Sequence, residues 1–395
     1  MSELSGPSPF ASLNGAVAEP ELGPIAHFGA PNQEQRALAN GVAITDLSDR
    51  GIISVTGPDR LTWLDSITSQ RISSLRPGES SETILLGPTG RIEHNMHVFD
   101  DGETTWLIVE QSQVHDLFAF LDRMRFTLRV EVAIRSEEFI VVGAFLSTAE
   151  GEPSPAAGIL SEHAAVPAGI PLVWADSWAT PPAGGWQYAA EADATGEPHP
   201  APLWRAGEAV IPRSSVGQLL LSLPDAGVSV AGWLAFEALR VEAWRPRQLT
   251  EVDERSIPHE YDWMRTAVHL NKGCYRGQET VAKVHNLGHP PRRLVMLHLD
   301  GTESILPGHG DPVYVGEGED RKQVGLITSA ARHYELGGIA LALLKRSAPA
   351  DVDLVVVVGD DQTEIAAGQN VIVPPGAGAV ADVPKLPRLG VRRPG

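Results

Sequence analysis

Up to Phe145 the hydrophobic pattern switches repeatedly between a helical and a strand period. Gln33–Asn40 reads as a helix closing at Asn40-Gly41. Gly51–Gly57 reads as a strand, and Pro58 suits the first turn of a helix with Leu61, Leu64 and Ile67 on one face. Thr83–Leu86 is a strand and Gly87-Pro88-Thr89-Gly90 a turn. Ile92, His94, Met96 and Val98 then alternate with Glu93, Asn95 and His97, the pattern of a half-exposed strand. Thr105–Val109 is a further strand, and Ser112 caps a helix burying Val114, Leu117, Phe118 and Leu121. Phe126, Leu128, Val130 and Val132 alternate as another strand, followed by Phe139–Phe145. This order predicts an α+β layer, with helices packed on an antiparallel sheet.

Thr148–Gly169 turns to Pro, Ala, Gly and Glu and reads as a loop or linker. Val173–Trp178 and Trp186–Ala190 read as strands before a second loop at Glu191–Pro202. Ser214–Leu223 and Gly232–Ala243 read as helices, the second ended by Pro246. Glu279–His285 begins a short helix stopped by Asn286-Leu287-Gly288. After Pro290-Pro291 come short strands at Leu294–Leu299, Pro312–Val315, Gln323–Thr328, Ile339–Leu344, Leu354–Val358 and Asn370–Val373, as in a small barrel or sandwich. The division expected is a flexible tail over 1–24, an α+β region of two intertwined modules over 25–290 with its linker near 148–170, a C-terminal β-barrel over 291–375, and a tail over 376–395.

Composition narrows the function classes. The 395 residues are 43% hydrophobic and 21% charged, ordinary for a globular protein. No apolar run reaches membrane-spanning length, and no secretory signal is evident, so a cytoplasmic protein without membrane contact is expected. The formal net charge of −19 argues against direct nucleic-acid binding. One cysteine excludes an intrachain disulfide and any Cys-only metal site, and no metal site is expected.

That cysteine lies in Lys272-Gly273-Cys274-Tyr275-Arg276-Gly277-Gln278-Glu279. The glycines permit a tight loop, and Lys272 and Arg276 would favour a thiolate if their charges lie close to Cys274. The alternative is a buried cysteine acting as a small hydrophobe. The two readings make Cys274 either a functional thiol or a packing residue.

The loop resembles the signature of YgfZ-type folate-binding proteins, relatives of the glycine-cleavage T-protein (aminomethyltransferase). Gln33–Leu38, Asp46–Gly51, Val55–Arg60, Gly87–Ile92, Ala238–Ala243 and Ile257–Glu260 resemble further family stretches, in family order. The resemblance implies a T-protein-like α+β fold of several modules around a central folate cleft, with antiparallel sheets, helices and a C-terminal small β-barrel. It implies tetrahydrofolate or a one-carbon derivative as ligand, and a role in assembly or repair of iron–sulfur enzymes. It carries Glu242 over as the pterin-contacting glutamate, with Arg240 beside it on the same helix. Lys272 or Arg276 would meet the folate carboxylates, and Tyr275 would stack on an aromatic portion.

The T-protein places its catalytic Asp in an Ile-Asp-Asp run, whereas this chain reads Ile92-Glu93-His94-Asn95, with His94 at the catalytic position. Glu93, one residue away on a strand, would face the other side. Aminomethyl transfer is therefore not expected, and weight moves to Cys274 and to iron–sulfur enzymes or assembly machinery as partners. The alternative is a folate-dependent one-carbon transferase or demethylase with His94 as base. Any effect on tRNA modification would be indirect.

Overall fold

The structure, a computed structural model, describes residues 8–19, 23–190, 196, 198–302, 305–316, 318, 321–359 and 361–381. It opens with a short antiparallel pair, β1 (Val17–Ala18) and β2 (Ile25–His27), followed by helix α1 (Pro31–Ala39). The tail expected over 1–24 is anchored in part, because Phe10 is fully buried and Ser8 Oγ bonds the Asp46 carboxylate.

Two five-stranded sheets follow. β3 (Ala43–Asp46) joins a sheet completed later in the chain. β4 (Arg50–Thr56), β5 (Ser80–Leu86), β6 (Ile92–Asp100), β7 (Thr104–Glu110) and β8 (Glu131–Ile134) form an antiparallel sheet in the order β5-β6-β7-β4-β8. Helices α2 (Arg60–Ile67) and α3 (Val114–Met124) belong to this module, and Leu117 and Leu121 of α3 share a core with Met96 and Val98 of β6.

β9 (Phe139–Phe145), β10 (Val173–Ala175), β11 (Ala206–Pro212) and β12 (Ser229–Ala231) combine with β3 in the order β10-β11-β9-β3-β12. The β3–β12 pair is parallel, so the sheet is mixed rather than wholly antiparallel. The two sheets meet where the His97 ring of β6 stacks on Trp174 of β10, 3.8 Å apart and parallel, and where Trp174 Nε1 donates to the Ser81 carbonyl.

Three local expectations are corrected. Residues 125–129 turn instead of continuing as a strand: Phe126 has φ 42° and is 80% exposed, so only Val130 and Val132 keep the buried alternation. The linker near 148–170 contains helix α4 (Pro155–His163), started by Ser154 Oγ accepting from Ala157 N and by a proline in the first turn. Trp186–Ala190 forms no strand; Trp186 N bonds the Met264 carbonyl instead of a ladder partner. Residues 191–195 and 197 of the second loop lie outside the described residues.

Helix α5 (Val216–Ser222) precedes α6 (Trp233–Glu242), which packs between α1 and the barrel, and a single turn, α7 (Gln248–Glu251), follows. α8 (Gln278–Leu287) carries the chain from the cysteine loop to the barrel. The barrel is closed by β13 (Arg292–Leu299), β14 (Pro312–Val315), β15 (Lys322–His333), β16 (Gly337–Lys345), β17 (Leu354–Val358) and β18 (Thr363–Val371), in the order β13-β16-β15-β14-β17-β18. Closure leaves no unpaired edge. Of the tail expected over 376–395, residues 376–381 dock on the end of α8, with Val380 N bonding the His285 carbonyl; residues 382–395 lie outside the described residues. No described helix is long and apolar enough to cross a membrane.

Candidate functional site

The cysteine loop and the glycine turn after β5 are clasped together. Gly277 takes φ 83°, and a Cβ there would stand 2.7 Å from the Gly87 carbonyl oxygen. Gly90 takes φ 75°, and a Cβ on it would meet the Thr280 side chain at 2.7 Å. Both positions need glycine for conformation and for contact. Cys274 sits on the exposed side of this clasp.

The flanking cations are spent on structure. Lys272 Nζ donates to the carbonyls of Asp65, Thr68 and Gln70 at 2.6, 2.8 and 2.7 Å, which uses all three ammonium hydrogens. Burial draws its pKa down to about 8, so it still carries its proton at neutral pH. Lys272 is therefore a tie between the loop and the end of α2 with the segment after it, with no donor left for a folate carboxylate. Arg276 pairs with Glu93 at 2.7 Å and lies over the Phe120 ring. Tyr275 is buried in the main core, with Lys272 Nζ 5.4 Å from its ring centre, so its ring is a packing surface.

The strand after the glycine turn bulges at Glu93: Leu86 pairs with Ile92 while Leu85 pairs with His94. His94 consequently lies on the α3 side with Met96 and Val98, its Nδ1 3.1 Å from Gln113 Oε1, and burial lowers its pKa. Asn95 and His97 face the interior. Asn95 Nδ2 donates to Glu82 at 2.8 Å, and His97 Nδ1 lies 2.9 Å from Glu208. The expected alternation holds from His94 onward, while Ile92, before the bulge, joins the other core; Asn95 and His97 are covered by protein, not water.

That face belongs to a buried ion network. Arg245 pairs with Glu82 and Asp176, both at 2.9 Å. Arg247 pairs with Glu110 and Asp49, Arg50 with Glu110 and Glu208, and Arg240 with Glu237 and Glu251. Burial disfavours ionisation of Glu82 and Glu110, but the arginine beside each holds its pKa below the usual carboxylate range. All five Arg240 donors are committed: Nε and Nη2 to Glu237, Nη1 to Glu251 and the Arg245 carbonyl, and Nη2 also to Ser329 Oγ. The expectation that Arg240 meets the cofactor is thus corrected, because it crosslinks α6, α7 and β15. The space at the heart of the network is about 30 Å³, room for a water or two.

Glu242 lies elsewhere. It follows Arg240 by two residues, roughly 200° around the helix, and so faces away from the network. It lines a hollow of about 610 Å³ between the end of α6, strands β13 and β18 and the loop at 198–203, within the size range of small-molecule sites. Trp244, His199, Met296 and His298 form its walls with Glu242. His199 is neutral, its pKa pulled down to about 4 by burial and by Arg265; burial also lowers that of His298. Glu242 Oε2 is 3.3 Å from His333 Nε2. His333 Nδ1 accepts from Glu335 N and Leu336 N, while its Nε2, although close to Glu242, makes no hydrogen bond.

Trp244 is a residue that sequence reasoning passed over. It takes φ 59° just past the C-cap of α6, where glycine is usual, and is edge-on to His199 with centroids 4.9 Å apart. A bulky side chain in this conformation costs about 1–2 kcal/mol. A tryptophan where the end of a helix calls for glycine is the signal that would have found it.

Residues 20–143 match the GCVT N-terminal domain, and residues 292–374 match the glycine cleavage T-protein C-terminal barrel domain, together more than half of the chain. The chain belongs to the glycine cleavage T-protein family. Among T-protein relatives, the aminomethyltransferase of Rippkaea orientalis is 28% identical over 342 residues, covering 81% of this chain and 83% of its own. The aminomethyltransferase of Bacillus subtilis is 23% identical, covering 80% and 83%. A chloroplastic protein of Arabidopsis thaliana named "putative transferase" is 26% identical over 358 residues, covering 86% and 74%. The crystal structure of the glycine cleavage system aminomethyltransferase T from Bartonella henselae shares the fold, with a TM-score of 0.64 at 17% identity and coverage of 91% and 94%. Within this T-protein fold, the structure clasps the cysteine loop to the glycine turn through Gly277 and Gly90, with Lys272 tied to the α2 region, Tyr275 in the core and Arg276 on Glu93. It puts Glu242 in a separate hollow that Cys274 does not line. Of the side chains singled out from sequence, Cys274 is exposed and Glu242 borders an open hollow.

Proposed function

We propose that this chain binds tetrahydrofolate or a one-carbon derivative beside Glu242, and that with Cys274 it supports assembly or repair of iron–sulfur enzymes in the cytosol, as a YgfZ-type member of its family. Glu242 carries the cofactor half: a partly exposed carboxylate with no arginine or lysine partner among the described residues, in a hollow with neutral walls. A reduced pterin presents a ring N–H beside an amino group, and one carboxylate accepts both in a planar pair. Glu242 would make that pair, and Trp244 would offer an aromatic face. When bound, tetrahydrofolate supplies ring nitrogens able to carry a one-carbon unit.

The second half rests on an exposed thiol fixed by a rigid clasp. Among the described residues no group of three or more His, Cys, Asp and Glu is arranged to hold a metal ion. Cys274 would therefore ligate one iron of a cluster carried as cargo, with the remaining ligands coming from an iron–sulfur enzyme or assembly partner. Glu93 is tied to Arg276 and His94 is turned toward α3, which supports a role outside aminomethyl transfer.

Calorimetric titration with tetrahydrofolate should give saturable binding that Glu242→Ala weakens at least tenfold. No binding at high micromolar ligand would remove the cofactor half. Deletion of the gene should lower aconitase-type activity, and Cys274→Ala should fail to restore it; full rescue by that variant would remove the thiol. The relatives named aminomethyltransferase favour a second reading, a folate-dependent one-carbon transferase or demethylase. Formation of methylene-tetrahydrofolate from an aminomethyl or N-methyl donor would decide for it.

A further inference from the structure

The Glu242 hollow has a second polar wall, supplied by the barrel. Met296 and His298 lie two residues apart on one face of β13, and Asn370 of β18 stands opposite Met296 in the ladder. All three line the hollow from the barrel side, while Glu242 and Trp244 line it from the end of α6. Opposite His298 the neighbouring strand carries Gly368, and a Cβ there would have no neighbour within 4 Å. The ladder thus leaves open space beside the imidazole.

His298 and Asn370 are both half-buried, yet the fold uses neither side chain. Among the described residues, the ring nitrogens of His298 and the carboxamide of Asn370 make no hydrogen bond or ion pair. His199, on the loop wall of the same hollow, is committed by contrast: its Nδ1 accepts from Ala201 N at 3.0 Å, and its ring is edge-on to Trp244. A half-buried polar group without a protein partner is left to water, or to a ligand that replaces the water. Burial lowers the pKa of His298, so its ring is neutral at pH 7 and presents one N–H and one bare nitrogen. Asn370 likewise offers donors and an acceptor, whereas ionised Glu242 only accepts. The two walls therefore suit different edges of one planar heterocycle. The α6 side suits an edge made of donors, and the barrel side suits one where a carbonyl oxygen neighbours a ring N–H. A tetrahydropterin ring carries both.

We propose that His298 and Asn370 are the barrel half of the ligand site, hydrogen-bonding the carbonyl and ring N–H of the pterin while Glu242 holds its amino edge, so that the bound ligand bridges α6 and the barrel. This rests on the tetrahydrofolate reading of the Glu242 hollow and adds the residues that select the ring by its hydrogen-bond pattern.

The test is calorimetric titration of tetrahydrofolate into the full chain and its variants, with urea unfolding to show that each variant is folded. His298→Leu and Asn370→Leu keep side-chain bulk and remove every hydrogen bond, and each should weaken binding at least fivefold. His298→Gln restores a neutral donor and acceptor and should bind within about threefold of the parent. Full affinity in both leucine variants, alongside a loss in Glu242→Ala, overturns the proposal and leaves the folate reading standing. Equal losses in His298→Leu and His298→Gln also overturn it, because shape rather than hydrogen bonding would then be what the ligand reads. Absence of saturable binding to the parent overturns both.

Discussion

Asp262 offers a measurement whose size follows from its surroundings. It lies at the end of the turn Pro258–Tyr261, ahead of the cysteine loop, and is fully buried with φ 57°. Its Oδ1 accepts from Tyr188 N at 2.7 Å, while Oδ2 meets no donor. Burial pushes its pKa up from 3.8 to about 7, against the opposing pull of the Tyr188 N–H and Arg265. The folded state thus holds a proton that the unfolded chain releases near the ordinary value. The resulting stability is fully present below the unfolded pKa and is lost as pH rises through the folded one. At about 1.4 kcal/mol per pKa unit, the total loss is about 4 kcal/mol. Asn has the same shape, keeps the Oδ1 acceptor, tolerates the left-handed conformation and cannot ionise. Paired urea titrations of Asp262→Asn and the parent from about pH 4.5 to about pH 8 should therefore diverge by about 3 kcal/mol in favour of the variant, levelling off above the folded pKa. His199 and His259, whose pKa values are lowered to about 4 and about 3 mainly by burial, tilt both curves the opposite way and cancel in the difference. A stability difference that does not change with pH would refute the reasoning.

Gly277→Ala should cost about 2 kcal/mol or more, from its positive φ and its contact with the Gly87 carbonyl, and should speed amide exchange at the start of α8; an unchanged melting curve would contradict the clasp. Arg245→Met strands the buried Glu82 and Asp176 carboxylates, and urea unfolding should register a loss of about 3–5 kcal/mol. Phe126→Gly relieves a left-handed aromatic that is largely in solvent and should raise stability by up to about 1 kcal/mol; a loss would show that the exposed ring has a partner.

Much of the architecture was legible in periodicity. Alternating runs separated by Gly, Asp and Pro marked strands of the barrel, and the period of α6 showed in Leu234, Ala238 and Val241. The pattern failed where apolar residues did not share a face. Phe126 and Leu128 continue the alternation leading to Val130 and Val132, yet the backbone there turns out into solvent. Pattern also missed α4, whose short and weakly amphipathic stretch is set by a Ser cap and a proline more than by hydrophobic spacing.

Residue types and local order along the chain were enough to single out the cysteine loop and its glycines; Glu242 came from the family resemblance. Direction was not available there. Lys272 finds its three acceptors more than two hundred positions earlier, and Arg240 meets Ser329 across the barrel contact, so both cations that look free in sequence are saturated in the fold. A side chain's chemistry is a property of the sequence, whereas its spare hydrogen-bonding capacity depends on every group packed around it. Only the tertiary structure could decide that Lys272 and Arg240 hold the molecule together, while Cys274 stays exposed and Glu242 borders an open hollow.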